Sequence, residues 1–110
     1  MKGESVYLLH IRDAIKRILD YTASGRESFF NETKSQDAVL RNLEIVGEAA
    51  KNLPETFKQE HSGIPWKRLA GMRDKLIHDY FGVNLRIVWD VIQRDLPELQ
   101  RKINEILAKH

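Results

Sequence analysis

Apolar residues recur every three or four positions along most of the chain, and no stretch keeps the two-residue rhythm of a half-buried strand. Leu8, Ile11, Ile15, Ile18, Leu19 and Thr22 fall on one face of a helix from about Ser5 to Ser24, which Gly25 ends. The connector GRESFFNETK reads as a loop that Phe29 and Phe30 anchor to the rest of the molecule. A second helix begins near Ser35 as its N-cap, with Asp37 at the positive end of its dipole. Its stripe is Val39, Leu43, Val46, Ala50 and Leu53, and Pro54 either ends it or opens a short helical turn through Phe57. Pro65 suits the first position of a third helix, Trp66 to Phe81, with the stripe Leu69, Met72, Leu76 and Tyr80 and a stop at Gly82. The last segment starts at Asn84 and carries Leu85, Val88, Ile92, Leu96, Leu99, Ile103, Ile106 and Leu107. Pro97 interrupts it, and Asp95 is placed to cap a fresh start, so it is two helices or one kinked helix. Four to five amphipathic helices on short connections predict an all-α, up-and-down antiparallel bundle.

Length and composition narrow this further. A chain of 110 residues holds one core, so residues 1–110 read as a single helical domain, and at this size a second subunit often completes the burial. Cysteine is absent, which excludes a disulfide scaffold, a thiolate metal site and a Cys nucleophile, and which fits a reducing cytoplasm. The N-terminal MKGESVYLLHIRD is too polar for a signal peptide or a membrane span, so a cytoplasmic protein is expected. The formal net charge of +2 tolerates RNA as a partner without arguing for it.

Phosphate loops, zinc helices and nucleophile elbows are missing from the sequence, and His10, His61, His78 and His110 are too scattered to predict a metal site. No cofactor is expected. The informative stretch is RDKLIHDYFG, residues 73 to 82. At about 100° per residue, with the Leu69/Leu76 stripe as core direction, Tyr80 lies about 20° from that direction and Arg73 about 40°. Asp74 lies near ~140° and His78 near ~180°, so His78 points away from its own core with Asp74 one turn before it. Two readings of His78 remain open on these grounds, a solvated surface histidine and a proton-transfer group. In the second, Asp74 orients one ring nitrogen, and Arg73 binds a phosphate bidentately and stabilises charge developing on it. Arg73 and His78 are about 140° apart around the helix, so two copies with these helices facing would bring two Arg/His sets into one cleft. Lys67, Arg68, Lys75 and Arg86 flank the motif as ordinary surface charges or as RNA phosphate contacts. Glu44 and Glu48, one turn apart on the second helix, read as a further acid in the cleft or as a solvated face paired with Lys51. Trp66 and Trp89 read as core.

Arg73-x4-His78-x-Tyr80 resembles the R-x4-H-x-Y signature of HEPN domains of the HepT-like toxin group. IVGEAAKNLP (45–54), IPWKRLAGMRDKLIHDYFGV (64–83) and VWDVIQRDLPEL (88–99) are similar to that group as well, so the likeness covers most of the chain. The resemblance implies a helical homodimer with a composite cleft and a metal-independent endoribonuclease activity, as the toxin of a type VII-like toxin–antitoxin pair. It implies Arg73 and His78 as the catalytic pair and Asp74 at a position the group keeps polar. Tyr80 matches the tyrosine that, in some systems of this kind, an MntA-like nucleotidyltransferase antitoxin modifies with AMP. The alternative within the same resemblance is a non-catalytic, nucleotide-binding interaction module that serves as partner and substrate of the nucleotidyltransferase.

Overall fold

The computed structural model describes residues 3–78 and 82–109. Helix α1 is Gly3–Tyr21, α2 is Arg26–Asn31, α3 is Thr33–Asn52, α4 is Glu55–Glu60 and α5 is Trp66–His78. A helical rod over 85–108 follows, made of α6 (Leu85–Asp90), a π-helical turn (Val91–Asp95) and α7 (Leu96–Ala108). The described residues contain no strand. The all-α bundle expected from the apolar rhythm is what forms.

The stripes become the core. Leu8, Ile11, Ile15 and Ile18 of α1 are fully buried, as are Val39 and Val46 of α3. Each such side chain contributes about 1.5–3 kcal/mol by leaving water. Ile92, Leu96 and Ile103 of the rod complete the same apolar cluster. Cross-helix contacts join the neighbouring long helices. Arg17 Nη1 of α1 lies 3.5 Å from Asn42 Oδ1 of α3. Lys51 of α3 reaches Asp74 of α5, and Arg68 of α5 reaches Asp95 of the rod, each at 3.3 Å. Lys102 Nζ donates to the Gly63 carbonyl at 2.7 Å and ties α7 to the loop that launches α5.

Several local expectations change. GRESFFNETK is not a loop but holds the short helix α2, with Phe29 buried against Phe30 and stacked on Trp89 at 5.5 Å. Helix α3 begins at Thr33, two residues before Ser35. Its N-cap is Glu32, and the Glu32 carboxylate accepts hydrogen bonds from Ser28 and Ser35. Ser35 thus donates to the carboxylate of the N-cap residue from inside the first turn, and no side chain caps a backbone N–H there. Both expectations for Pro54 are met, since α3 stops before it and α4 opens after it. Pro65 sits one residue ahead of the first helical position, where its carbonyl accepts from Leu69 N–H.

Gly25 takes φ 97°, in the left-handed region that favours glycine; the helix end expected before Gly82 falls outside the described residues. Described α5 ends at His78; Tyr80, the remainder of the stripe expected through Phe81, and His110 lie outside the described residues. Trp66 is buried and donates its Nε1–H to the His61 carbonyl at 3.0 Å, while Trp89 is half-buried, so both tryptophans are packing residues.

Asp95 does not cap a new helix. Its backbone is helical, it makes no capping hydrogen bond, and its carboxylate meets Arg68 instead. Pro97 lacks an N–H and crowds the carbonyl four residues before it. The chain relieves this by widening one turn, with Leu96 N–H donating to the Val91 carbonyl five residues back. The rod thus passes the proline without breaking.

Candidate active site

Arg73 stands where α3 and α5 come closest. Gly47 of α3 faces it, and a Cβ added to Gly47 would collide with the Arg73 Cβ and lie 2.7 Å from the Leu69 carbonyl oxygen. Only glycine allows this approach, which presses the root of the Arg73 side chain onto the α3 backbone. From there the guanidinium meets two carboxylates. Its Nε is 2.7 Å from Glu48 Oε2, and its Nη1 donates to Asp74 Oδ1 at 3.0 Å. The Nε atom is shut off from solvent, and its contact with Glu48 is a charge contact off the line of a hydrogen bond. Asp74 also accepts from Lys51 Nζ at 3.3 Å. Hydrogen bonds from Arg73 and Lys51 hold the Asp74 carboxyl below the usual carboxylate range.

Glu48 is thus paired with Arg73, and the expected Glu48–Lys51 pairing is replaced by Lys51–Asp74. Glu44 pairs with Arg41 at 3.4 Å. Asn52 Nδ2 donates to Glu48 Oε1 at 3.2 Å and steadies that carboxylate from the next turn of α3. These roles could not be read from residue spacing, because they depend on the register of α3 against α5.

Arg73 and Glu48 line a groove of about 400 Å³ between α1, α3 and α5, together with Tyr7, His10, Asn52 and Ile77. His78 lies one residue beyond Ile77, in the last turn of α5, and is exposed. The off-core direction expected for it is observed. The described contacts do not bring His78 to Arg73, nor Asp74 to His78; the Asp74 carboxylate is taken up by Arg73 and Lys51. Lys67, Arg68, Lys75 and Arg86 are all exposed. Arg68 and Lys75 border a second, mostly apolar groove of about 480 Å³ between α5 and the rod. Among the described residues no group of three or more His, Asp or Glu is arranged to hold a metal ion, and no helix is long and apolar enough to cross a membrane.

A buried-rooted arginine, an exposed histidine five residues on and a groove beside them fit phosphate chemistry, and comparison with known proteins gives the chain its family. The profile of the family described as "Ribonuclease HepT-like" matches residues 11–106. The chain belongs to the HepT-like ribonuclease family. Its enzyme class is therefore RNA endonuclease. A protein of Caldanaerobacter subterraneus subsp. tengcongensis, provisionally named as an RNase, is 46% identical to this HepT-like chain over 99% of its length and 98% of the relative's. A "Probable ribonuclease HepT" of Thermococcus cleftensis is also 46% identical, over 91% of this chain and 92% of its own. The "mRNA nuclease HepT" of Shewanella oneidensis is 28% identical over 90% of this chain and 92% of its own. No solved structure matches this HepT-like chain.

Proposed function

We propose that the chain is a single-domain, metal-independent endoribonuclease toxin that works in the cytoplasm as a homodimer, with Arg73 and His78 as its catalytic residues. The observation that carries this reading is Arg73, held by two carboxylates at a groove, with His78 exposed on the other side of the same helix. In one copy the two side chains diverge, and two copies with their α5 helices facing would place both pairs around one RNA strand.

Cleavage then proceeds by transesterification. The ribose 2′-oxygen bonds to phosphorus as the P–O5′ bond breaks, leaving a 2′,3′-cyclic phosphate and a 5′-hydroxyl. One neutral His78 takes the 2′-hydroxyl proton, and the protonated His78 of the other copy gives a proton to the leaving oxygen. Arg73 faces the phosphate and offsets the negative charge that grows on it. Asp74 supports this through Arg73. Lys67, Arg68, Lys75 and Arg86 supply phosphate contacts along the strand. Messenger RNA, named for the Shewanella relative, is the substrate class to test first.

In this reading the protein is one half of a toxin–antitoxin pair. A nucleotidyltransferase antitoxin neutralises it by attaching AMP, and with it negative charge, to Tyr80, two positions after His78 in the sequence. The support for this part is the resemblance in the motif.

The test is cleavage of a structured RNA by purified protein in EDTA, comparing wild type with His78→Ala and Arg73→Ala. Wild type is expected to cut, and each variant to lose about 10²–10⁴-fold in rate, the usual worth of a proton-transfer group or a charge-stabilising donor. Equal cleavage by all three would overturn the assignment. Cleavage by none, with Tyr80 unmodified by intact mass, would favour a nucleotide-binding partner of the transferase.

A further inference from the structure

We infer that Glu48 is a positioning residue for Arg73, and that the consecutive pair Gly47–Glu48 sets the geometry of the phosphate-binding edge; this rests on the ribonuclease reading above. An arginine side chain has four rotatable bonds and five N–H donors, so an untethered one spreads its charge over a wide volume. Here both ends are tied to two adjacent residues of one helix. Gly47 clamps the Cβ end against the α3 backbone. Glu48 holds the Nε end at 2.7 Å, and Asn52, one turn on, braces the Glu48 carboxylate.

The Nε atom lies where water does not reach, held by its charge contact with Glu48 and not by a hydrogen bond. One Nη1 hydrogen goes to Asp74. Among the described residues, the second Nη1 hydrogen and both Nη2 hydrogens have no protein partner. They form the end of the guanidinium fork that takes a phosphate through two parallel hydrogen bonds. Glu48 thereby selects which edge of Arg73 is offered to the groove. A carboxylate is needed because the enclosed Nε carries positive charge that a neutral acceptor offsets only weakly. Glu48 does not touch substrate in this scheme; it acts by removing the orientational freedom of the group that does.

Glu48→Gln and Glu48→Asp test this, beside Glu105→Gln as a surface control. With Glu48→Gln, kcat on RNA in EDTA is expected to fall about 10-fold or more while KM moves much less, because orientation in the transition state is what is lost. Glu48→Asp, which keeps the charge on a shorter arm, is expected to fall between the two. A merely structural role would lower the unfolding midpoint and leave kcat per folded molecule unchanged.

A second readout does not depend on cleavage. The Arg73 Nε–H resonance, assigned by its loss in Arg73→Lys, should be resolved and slow to exchange in wild type and should collapse toward free arginine in Glu48→Gln. Wild-type kcat in Glu48→Gln, or an unchanged Arg73 resonance, overturns the inference. If wild type cuts no RNA at all, the ribonuclease reading fails by itself and the resonance still decides whether Glu48 holds Arg73.

Discussion

At Gly47 the backbones of α3 and α5 are separated by less than a methyl group needs, and the side chain across the gap is Arg73. Gly47→Ala adds one carbon where backbone, not a flexible side-chain tip, must move. The expected cost is about 1–3 kcal/mol in urea unfolding, with a larger fractional loss of RNA cleavage because Arg73 shifts with α5. A variant with full stability and full activity would show that the crossing is slack.

Asp74 makes a prediction in pH. Its folded-state carboxyl titrates below the ordinary value of 3.8, held down first by Arg73 and then by Lys51. A depressed carboxyl contributes stability above its unfolded pKa and loses it as pH falls through the folded one. Wild type should therefore lose more stability than Asp74→Asn on going from neutral pH to below 3.8, and acid unfolding curves of the two proteins should converge. Parallel curves would mean that the pair is open in solution. The angles of Arg73, Asp74 and His78 about their helix were legible in the sequence, since a helix fixes them. Which carboxylate meets Arg73 was not, because Glu48 and Gly47 reach it only through the packing of two helices.

Among the elements, the long helices were legible because their stripes run for several turns. Helices α2 and α4, six residues each, read in sequence as a connector and an optional turn, for fewer than two turns are too few to display a period. Pro97 announced a disturbance without its form, and the π-helical turn is the form that keeps Ile92, Leu96 and Leu99 all on the core. A π-helical turn holds one residue more than an α-helix would need there. Deleting exposed Gln93 together with Pro97→Ala should let the rod close into a regular α-helix with Ile103 and Ile106 still inward. The same deletion with Pro97 retained should be about 3 kcal/mol less stable, since the proline then sits inside an α-helix. Equal urea midpoints for the two would separate the turn from the proline.

On the scale of the whole molecule, one copy leaves Ile77 and Ile87 about half exposed, 44% and 58%, and Ile77 adjoins His78 and lines the groove of Arg73. Ile77→Lys is expected to shift sedimentation from dimer toward monomer and to abolish cleavage, whereas Tyr21→Lys, at the far end of α1, should change neither. A monomeric wild type with full activity would remove the composite cleft. The apolar rhythm predicted this bundle but not which face a second copy would take, because such a face would look in sequence like one more edge of a stripe.

The pairing of Arg73 with Glu48 and Asp74 also bears on how RNA is attracted in the first place. A cation whose field is already spent on two carboxylates displaces few bound salt ions when a phosphate arrives, so its share of long-range attraction is small. Exposed Lys75 is in the opposite position. Plotted as log affinity against log salt, binding by Lys75→Ala should be shallower by roughly 0.7, the worth of one single-strand phosphate contact, while Arg73→Ala should keep the wild-type slope. Capture of the strand and its cleavage are then carried by different cations, and ionic strength would tune the first while leaving the second alone.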